Sequence, residues 1–503
     1  MSRISIRVCV VAAGLAILGL SSRLTAQNPN GDFGVYVAAQ LSAHAQELFG
    51  FTHPLDQSAL GPFTGPDSTQ ALAVAQGLQV SLVSSAVHFS TDQIALWPND
   101  DHPTHLFVCD EESSNPAVQR VDLAAPASAN ATTIVTGLSA CDPVRRTPWG
   151  TIIVAEEAGA TGGFYEILDP EHINVAINVI DRSAGTTSDP LHLVKRKAVG
   201  TLSFESFAIK PDGTMIYGDE LAPSGGNAGG ALYKFVPAVP YQGNGQVTVP
   251  AMSPLASGTV YGLRVAASGS SNWGQGAEVG KGTWTLVNLG GAGVVDANGN
   301  IILRTAQGLQ RFAGYYRPED MDIDPIAGEA SVFRACWANT GRMSHGGGSL
   351  VENGAVYSEV MCLVEEPPSA AVPAPPTGTI PRVERFIAGN AQGNMFDNVA
   401  FQPRTGNLVV LEDGAVSAVT SLQPPQSELR GNDLWICLPD GADDDTQSDG
   451  CVRFASLRDT SSEPTGFIFL GSGEEAFVSL QHRSVDEATG RGSLLKISGF
   501  KIH

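Results

Sequence analysis

Positive charge is scarce in this chain. Lys and Arg number 29 against 51 Asp and Glu, and the formal net charge is −22. This argues against nucleic acid as a main partner, because phosphate binding needs a basic face. It also argues against docking on anionic lipid through a polybasic patch. Histidine is sparse too, at ten copies. His102 and His105 lie close together without a partner at useful spacing, and His482 ends a strand-like segment, where a satisfied structural histidine is the plain alternative. No His-Glu-x-x-His, no P-loop and no Gly-x-Ser-x-Gly elbow with partners occurs, so the chemistries those motifs carry have no visible basis. Past residue 26 there is no stretch of 18 uninterrupted apolar residues, so no membrane span is expected in the mature protein.

Punctuation is abundant instead. With 56 Gly and 31 Pro the chain is cut into many turns, which argues against a helical bundle. Hydrophobic residues make up 43%, enough for a large core and against a disordered chain. A length of 503 residues suits several domains or one repetitive all-β unit.

Residues 1–26 read as a signal peptide. Arg3 and Arg7 make a basic start, Val8 to Leu20 an apolar run, and Leu24-Thr25-Ala26 ends on a small residue. No Arg-Arg pair stands in it, so the general secretory route and a secreted or periplasmic destination are expected. Six cysteines follow. In an oxidising compartment an even number suggests disulfides. Cys437 with Cys451, flanking an acidic loop, is the first expected pair, and Cys336 with Cys362 the second. Cys109 and Cys141 either pair with each other or leave Cys141 as a metal-binding thiolate.

An internal repeat organises the rest. Glu205, Glu319 and Asp397 are each followed six residues later by Pro211, Pro325 and Pro403, then a glycine, then a short apolar run. Glu463 begins a fourth copy that ends on Gln481-His482. Two weaker copies end on Cys109-Asp110-Glu111-Glu112 and on Glu156-Glu157. The unit is an acid, a strand, a turn, a second strand and a polar or acidic end, which is a β-hairpin. Six copies predict an all-β fold, a six-bladed β-propeller with insertions, against two unrelated β-sandwiches as the alternative. The expected layout is a signal peptide over 1–26, a helical or irregular segment over 27–90 with a helix near 35–50, and the propeller over 91–503. A Pro-rich connector is expected over 365–380, and insertions within the Gly-rich 240–310 stretch.

A hairpin returns to the end it left, so its leading and trailing acids share one end. Glu205, Glu319, Asp397 and Glu463 should therefore converge at one mouth with Glu156, Glu157, Asp219, Glu220 and Asp413. So many carboxylates stay ionised together only with cations among them. Hard divalent ions, Ca2+ first, suit oxygen ligands. Arg317 stands two residues before Glu319, on the same strand face. A guanidinium beside bound cations can grip a phosphate or carboxylate; a structural ion pair is the alternative.

The same residues resemble the PhoX family of secreted bacterial alkaline phosphatases. The similar stretches are Cys141 with Thr147-Pro148-Trp149-Gly150-Thr151 and Glu156-Glu157; Glu205 with Gly218-Asp219-Glu220 and Tyr233-Lys234-Phe235-Val236; Arg317-Pro318-Glu319; Asp397-Asn398 with Asp413-Gly414; and Glu463 with Gln481-His482. The resemblance implies a six-bladed propeller with iron and calcium at its mouth, hydrolysing a small phosphomonoester. It implies Cys141 as an iron (Fe3+) thiolate, Glu205 and Glu319 as cluster ligands, Glu157, Asp219 and Glu220 as further metal ligands, and Arg317 as the catalytic phosphate clamp. The chain departs from the pattern at Cys109-Asp110-Glu111, where the family has Asn-His-Glu, and at Asp142-Pro143-Val144, where it has small residues. It also has Phe204 for a His and Arg483 for a Pro. These changes leave two alternatives open: a calcium-only hydrolase, and a non-catalytic calcium-stabilised propeller for binding or surface assembly.

Overall fold

The structure, a computed structural model, describes residues 35–502 apart from 60, 62, 113–115, 224–226, 266–278, 328–331, 342–357, 369–376, 391, 414–431 and 442–444. The expected signal segment and the middle of the Pro-rich connector lie outside the described residues.

The chain is mostly β-structure with few helices. Short apolar runs between Gly, Pro and Asp turns cannot reach helical length, so they pair as strands. At Pro211-Asp212-Gly213 the chain reverses between Phe207–Ile209 and Met215–Gly218, with Gly213 at φ +91°, a backbone state open to glycine. Such reversals build six antiparallel meanders in sequence order. The first holds Thr91–Trp97, His105–Asp110, Ala117–Asp122 and Ala131–Thr136. The second holds Cys141–Arg146, Ile152–Glu156, Phe164–Ile167 and Leu193–Lys195. The third holds Phe207–Ile209, Met215–Gly218, Leu232–Pro237 and Gly258–Val265, extended by Gly280–Leu286. The fourth holds Pro318–Ile323, Phe333–Asn339, Glu359–Glu366 and Ile380–Ala388, and a two-residue pairing of Gly280 and Lys281 with Val383 and Arg382 fuses it to the third. The fifth holds Phe396–Phe401, Leu408–Glu412, Asp433–Cys437 and Cys451–Leu457. The sixth begins with Glu463–Phe469, Glu475–Gln481 and Ser493–Ser498.

The sixth meander takes its fourth strand from the other end of the chain. Gln79–Ser84 pairs with Ser493–Ser498, and Leu72–Val74 pairs with the last strand of the fifth. Both strands fall within the 27–90 segment that was expected to be helical or irregular. The expected helix near 35–50 is present as Val35–Ala43 and Ala45–Leu48. Phe49 and Phe51 follow it into the core between the fifth and sixth meanders, beside Phe454, Phe467 and Phe500. The first strands of all six meanders line one cavity of about 530 Å³, from Leu96 and Arg146 round to Phe401 and Phe469. The Gly-rich insertion contributes the helix Leu303–Gln310.

All six cysteines after residue 26 are paired. Cys336–Cys362 and Cys437–Cys451 link register partners on neighbouring strands, and Cys109–Cys141 links the first meander to the second. Phe454 is fully buried and meets Phe467 and Phe500 edge-on. Phe454→Ala is expected to cost about 3–5 kcal/mol, read by denaturant unfolding; a loss below about 1 kcal/mol would mean that this aromatic layer does not hold the closing meanders.

Candidate metal centre

Every meander starts with an acid. Asp92, Asp142, Glu319, Asp397 and Glu463 occupy the first or second position of their first strands, and Glu205 lies two residues before Phe207. In five of the six strands the register slips just after the acid, between Thr91 and Ile94, Cys141 and Val144, Pro318 and Met321, Phe396 and Val399, and Thr465 and Ile468. Such a bulge bends the strand and re-aims its side chains. Ala140, Arg317 and Met395, each two residues before its acid, adopt left-handed backbone at φ +42°, +51° and +59°. Non-glycine residues hold that conformation only where the surroundings over-determine it.

The second strands deliver a second ring of acids. Each ends in a polar pair whose members point to opposite faces, as the pleat requires. The first member is consumed by the fold. Asp110 meets His88 at 2.6 Å. Glu156 takes Arg182 at 2.6 and 3.1 Å and the Ser139 and Gly163 N–H groups. Asp219 is gripped by Arg304 through contacts of 2.8 to 3.0 Å and accepts from the Ser203 N–H. Glu412 accepts from the Asn394 and Asp433 N–H groups and the Trp435 indole. The second members, Glu111, Glu157, Glu220 and Asp413, stand one residue further on, with Thr340 and His482 in the corresponding places of the fourth and sixth meanders.

The carboxylates form four overlapping groups: Asp92, Glu111 and Asp142; Asp142, Glu157 and Glu205; Glu205, Glu319 and Asp397; Asp397, Asp413 and Glu463. Within each group, one oxygen per residue lies within 4.8 Å of the others. That spacing matches oxygens on opposite sides of a calcium ion, whose bonds run about 2.3–2.6 Å. Burial, then the neighbouring negative charges, pushes the carboxyls of Asp92, Asp142, Glu205 and Glu463 well above the usual carboxylate range, and burial does the same for Glu319 against the pull of Arg317. Burial with Glu111 and Glu220 nearby takes Glu157 to about 10, and burial with Asp413 nearby takes Asp397 to about 8. Arg317 is set into this ring. Its Nε meets Glu220 at 2.5 Å and its guanidinium meets Glu319 at 3.1 Å, while Thr340 donates to Glu319. The guanidinium is held protonated first by Glu319 and then by Glu220, against its burial. One positive charge does not neutralise nine carboxylates. The donor set therefore fits hard cations, and the buried Oδ1 of Asp92, which has no hydrogen-bond partner, points to the same need.

A family model described as alkaline phosphatase PhoX matches residues 109–484. The chain belongs to the PhoX alkaline phosphatase family. That membership supports a phosphoric monoester hydrolase, and the family is metal-dependent. No curated protein matches the sequence. Among solved structures, Pseudomonas fluorescens PhoX in complex with vanadate, a transition state analogue, aligns at a TM-score of 0.61 and 16% identity over 90% of this chain and 98% of that one. A gluconolactonase from Xanthomonas campestris aligns at 0.37 and 11% identity over 89% and 97%. A PQQ-bound aldose sugar dehydrogenase from Streptomyces coelicolor aligns at 0.39 and 10% identity over 85% and 99%.

Set beside the PhoX resemblance in the sequence, the structure brings Glu157, Glu205 and Glu319 into the acid groups and puts Arg317 and Glu220 against each other at their edge. Two expectations need correction. Asp219 faces Arg304 on the opposite side of its strand from Glu220, so its oxygens are already engaged. Cys141 is bonded to Cys109 and lies in the apolar core between the first two meanders, so it offers no thiolate. The Thr147-Pro148-Trp149-Gly150-Thr151 stretch is structural: it turns the second meander, and Trp149 and Thr151 both donate to buried Glu166 at 2.7 Å. Sequence reasoning missed Asp92, Glu111 and Asp142 as members of the ring. A signal was present, since Asp92 precedes Pro98 and Asp142 precedes Pro148 by the same six residues as the acids of the clearer copies.

Asp219→Asn would leave Arg304 without its carboxylate. It is expected to cost about 2–3 kcal/mol, less than a fully buried pair because Arg304 is partly exposed, without changing the number of cations bound; a lost cation in metal analysis would make Asp219 a ligand. A second expectation concerns pH. Carboxyls raised in the folded state keep protons that the unfolded chain has lost, so stability falls as pH rises above the unfolded carboxyl range and on through about 8 for Asp397 and about 10 for Glu157. Chelated protein should therefore melt at lower temperature at pH 9 than at pH 5, and added calcium should restore more at pH 9. A flat profile after chelation would mean that these acids do not repel one another in the folded chain.

Proposed function

We propose that the chain is an exported phosphomonoesterase that works on small substrates with hard divalent cations, calcium among them, held in the acid ring, and that the six meanders are the blades of a six-bladed β-propeller. The observation that carries this reading is Arg317, a guanidinium inserted into a ring of carboxylates where bound cations and a phosphate would meet. The shared cavity lined by all six first strands supports the propeller. The basic, apolar and small-residue order of residues 1–26 supports export. Among the described residues no helix is long and apolar enough to cross a membrane.

The residues present fit calcium and do not fit a cysteine-ligated iron. Asp92, Glu111, Asp142, Glu157, Glu205, Glu319, Asp397, Asp413 and Glu463 would hold the cations. When bound, the cations supply positive charge that draws in the phosphate oxygens and offsets the charge gathering in the transition state. Arg317 adds planar donors that orient the phosphate. Glu220 fixes the Nε edge of the guanidinium, and Thr340 steadies Glu319 beside it. The ring's surplus of negative charge disfavours polyanions without cations to meet them, which suits a small monoester over a nucleic acid.

The Cys109–Cys141 bond also favours a second reading, a calcium-stabilised propeller without catalysis or with calcium-only chemistry on another ester. Arg317→Ala separates the possibilities. Turnover of p-nitrophenyl phosphate by the calcium-loaded protein is expected to fall by about 10²–10³, with an unchanged circular dichroism spectrum. Equal turnover in the variant would remove Arg317 from the mechanism. Absence of turnover in calcium-loaded wild type across a panel of phosphomonoesters would favour the scaffold reading.

A further inference from the structure

We propose that Arg145 is a positioning residue of the acid ring: it spans the space beside the ring, ties the first meander to the fourth, and so sets the spacing of the acids that receive the cations. The proposal rests on the metal-dependent, six-meander reading above.

The guanidinium of Arg145 is engaged at both ends. Its Nη1 donates to the side-chain carbonyl of Gln93, on the first meander, at 3.0 Å. Its Nη2 donates to Asp320 at 2.8 Å and to the Met321 carbonyl at 3.2 Å, on the fourth. Arg145 itself stands on the second. In six meanders taken in order round one cavity, the first and the fourth lie opposite each other. Arg145 also lines that cavity, whose walls come from residues further along the first strands than the acids. The side chain therefore lies between the cavity and the ring.

The bonds continue from Arg145 round the molecule. Gln93 donates to Asp142 of the second meander at 3.4 Å and to the Glu205 carbonyl that leads into the third. Asp320 accepts from the Val399 N–H of the fifth at 3.2 Å. Asn398, next to Val399, accepts from the Gly466 N–H of the sixth. Thr465 of the sixth donates to the Thr91 carbonyl of the first at 3.3 Å. All six meanders are joined in one belt of side-chain hydrogen bonds, and Arg145 is the member that crosses it.

The belt bears on the ring through the places its members hold. Gln93, Asp320 and Asn398 are buried, and each directly follows a ring acid, Asp92, Glu319 and Asp397. At these three places the register between first and second strands slips, so the ladder that would hold the backbone is interrupted. Side-chain bonds take its place. A guanidinium suits the span, because its planar fork presents donors at fixed spacing, whereas a lysine ammonium is a point charge on a flexible stem.

The test is calcium titration of the chelated full chain, disulfides intact, by isothermal titration calorimetry. Arg145→Lys keeps the charge and loses the fork. Arg145→Gln combined with Asp320→Asn removes the ion pair and leaves its place neutral, as before. Net charge beside the ring is the same in both, so a change in calcium affinity reads the placement of the acids. Each is expected to bind calcium about 10–100-fold more weakly than wild type, with an unchanged circular dichroism spectrum. Arg334→Lys alters a pair with Asp324 at the far end of its strand and is expected to bind calcium as wild type does. If the double variant fails to fold, Arg145→Lys decides. Wild-type calcium affinity in either folded variant would make Arg145 a structural ion pair and overturn the proposal. Wild type that binds no calcium would overturn it together with the metal-dependent reading. Weaker binding in the variants, with no phosphomonoester turnover by wild type, would uphold the role of Arg145 and discard the activity alone.

Discussion

Mutual repulsion among buried carboxylates is the constraint around which the rest of this molecule is arranged. Six meanders start at one end, each brings an acid there, and four of them return a second. Two charges a few ångströms apart in a poorly solvated place repel by several kcal/mol. A fold that collects ten such groups stands only if protons or cations sit among them. The backbone carries the strain of that arrangement: bulges after the acids and left-handed residues before them hold side chains where relaxed strands would not. Behind the ring, a second layer of acids is engaged within the protein: Arg182 and Arg304 pair with Glu156 and Asp219, and His88 meets Asp110.

The division of labour within each acidic pair follows from the pleat. Glu156 and Glu157, or Asp219 and Glu220, are chemically alike, yet one points into a structural ion pair and its neighbour toward the ring. The period of two in a strand makes that choice, and a one-residue shift in register would reverse it. Cys141 lies in the apolar core while its neighbour Asp142 joins the ring. With its cysteines paired across the first two meanders, the chain gains a covalent link at the place where the ring is assembled, and gives up a soft ligand there. The centre that results is made of oxygen.

Much of the architecture could be read before any fold was known. The acid-to-proline spacing of six marked the hairpins at Glu205, Glu319 and Asp397, and strand pairs occupy those places. The pairing Cys437–Cys451 was legible because the two cysteines flank one acidic loop, and Cys336–Cys362 was the second expected pair. The first two copies were harder. There the eye goes to Cys109, Cys141 and Glu156, whose motifs are conspicuous, and the repeat is read one strand late, so that Asp92 and Asp142 are passed over.

By itself, the sequence determined the strand-and-turn rhythm and the convergence of acids at one end, because these depend on residue type and short spacing. Tertiary structure decided what short spacing cannot carry. It brought Gln79–Ser84 across the whole chain to complete the last meander, a pairing between segments about four hundred residues apart in sequence. It gave Asp219 to Arg304 on an inserted helix, and Cys141 to Cys109 on the preceding meander. Each of these depends on which face of a strand meets which neighbour, and that is settled only when the sheets pack.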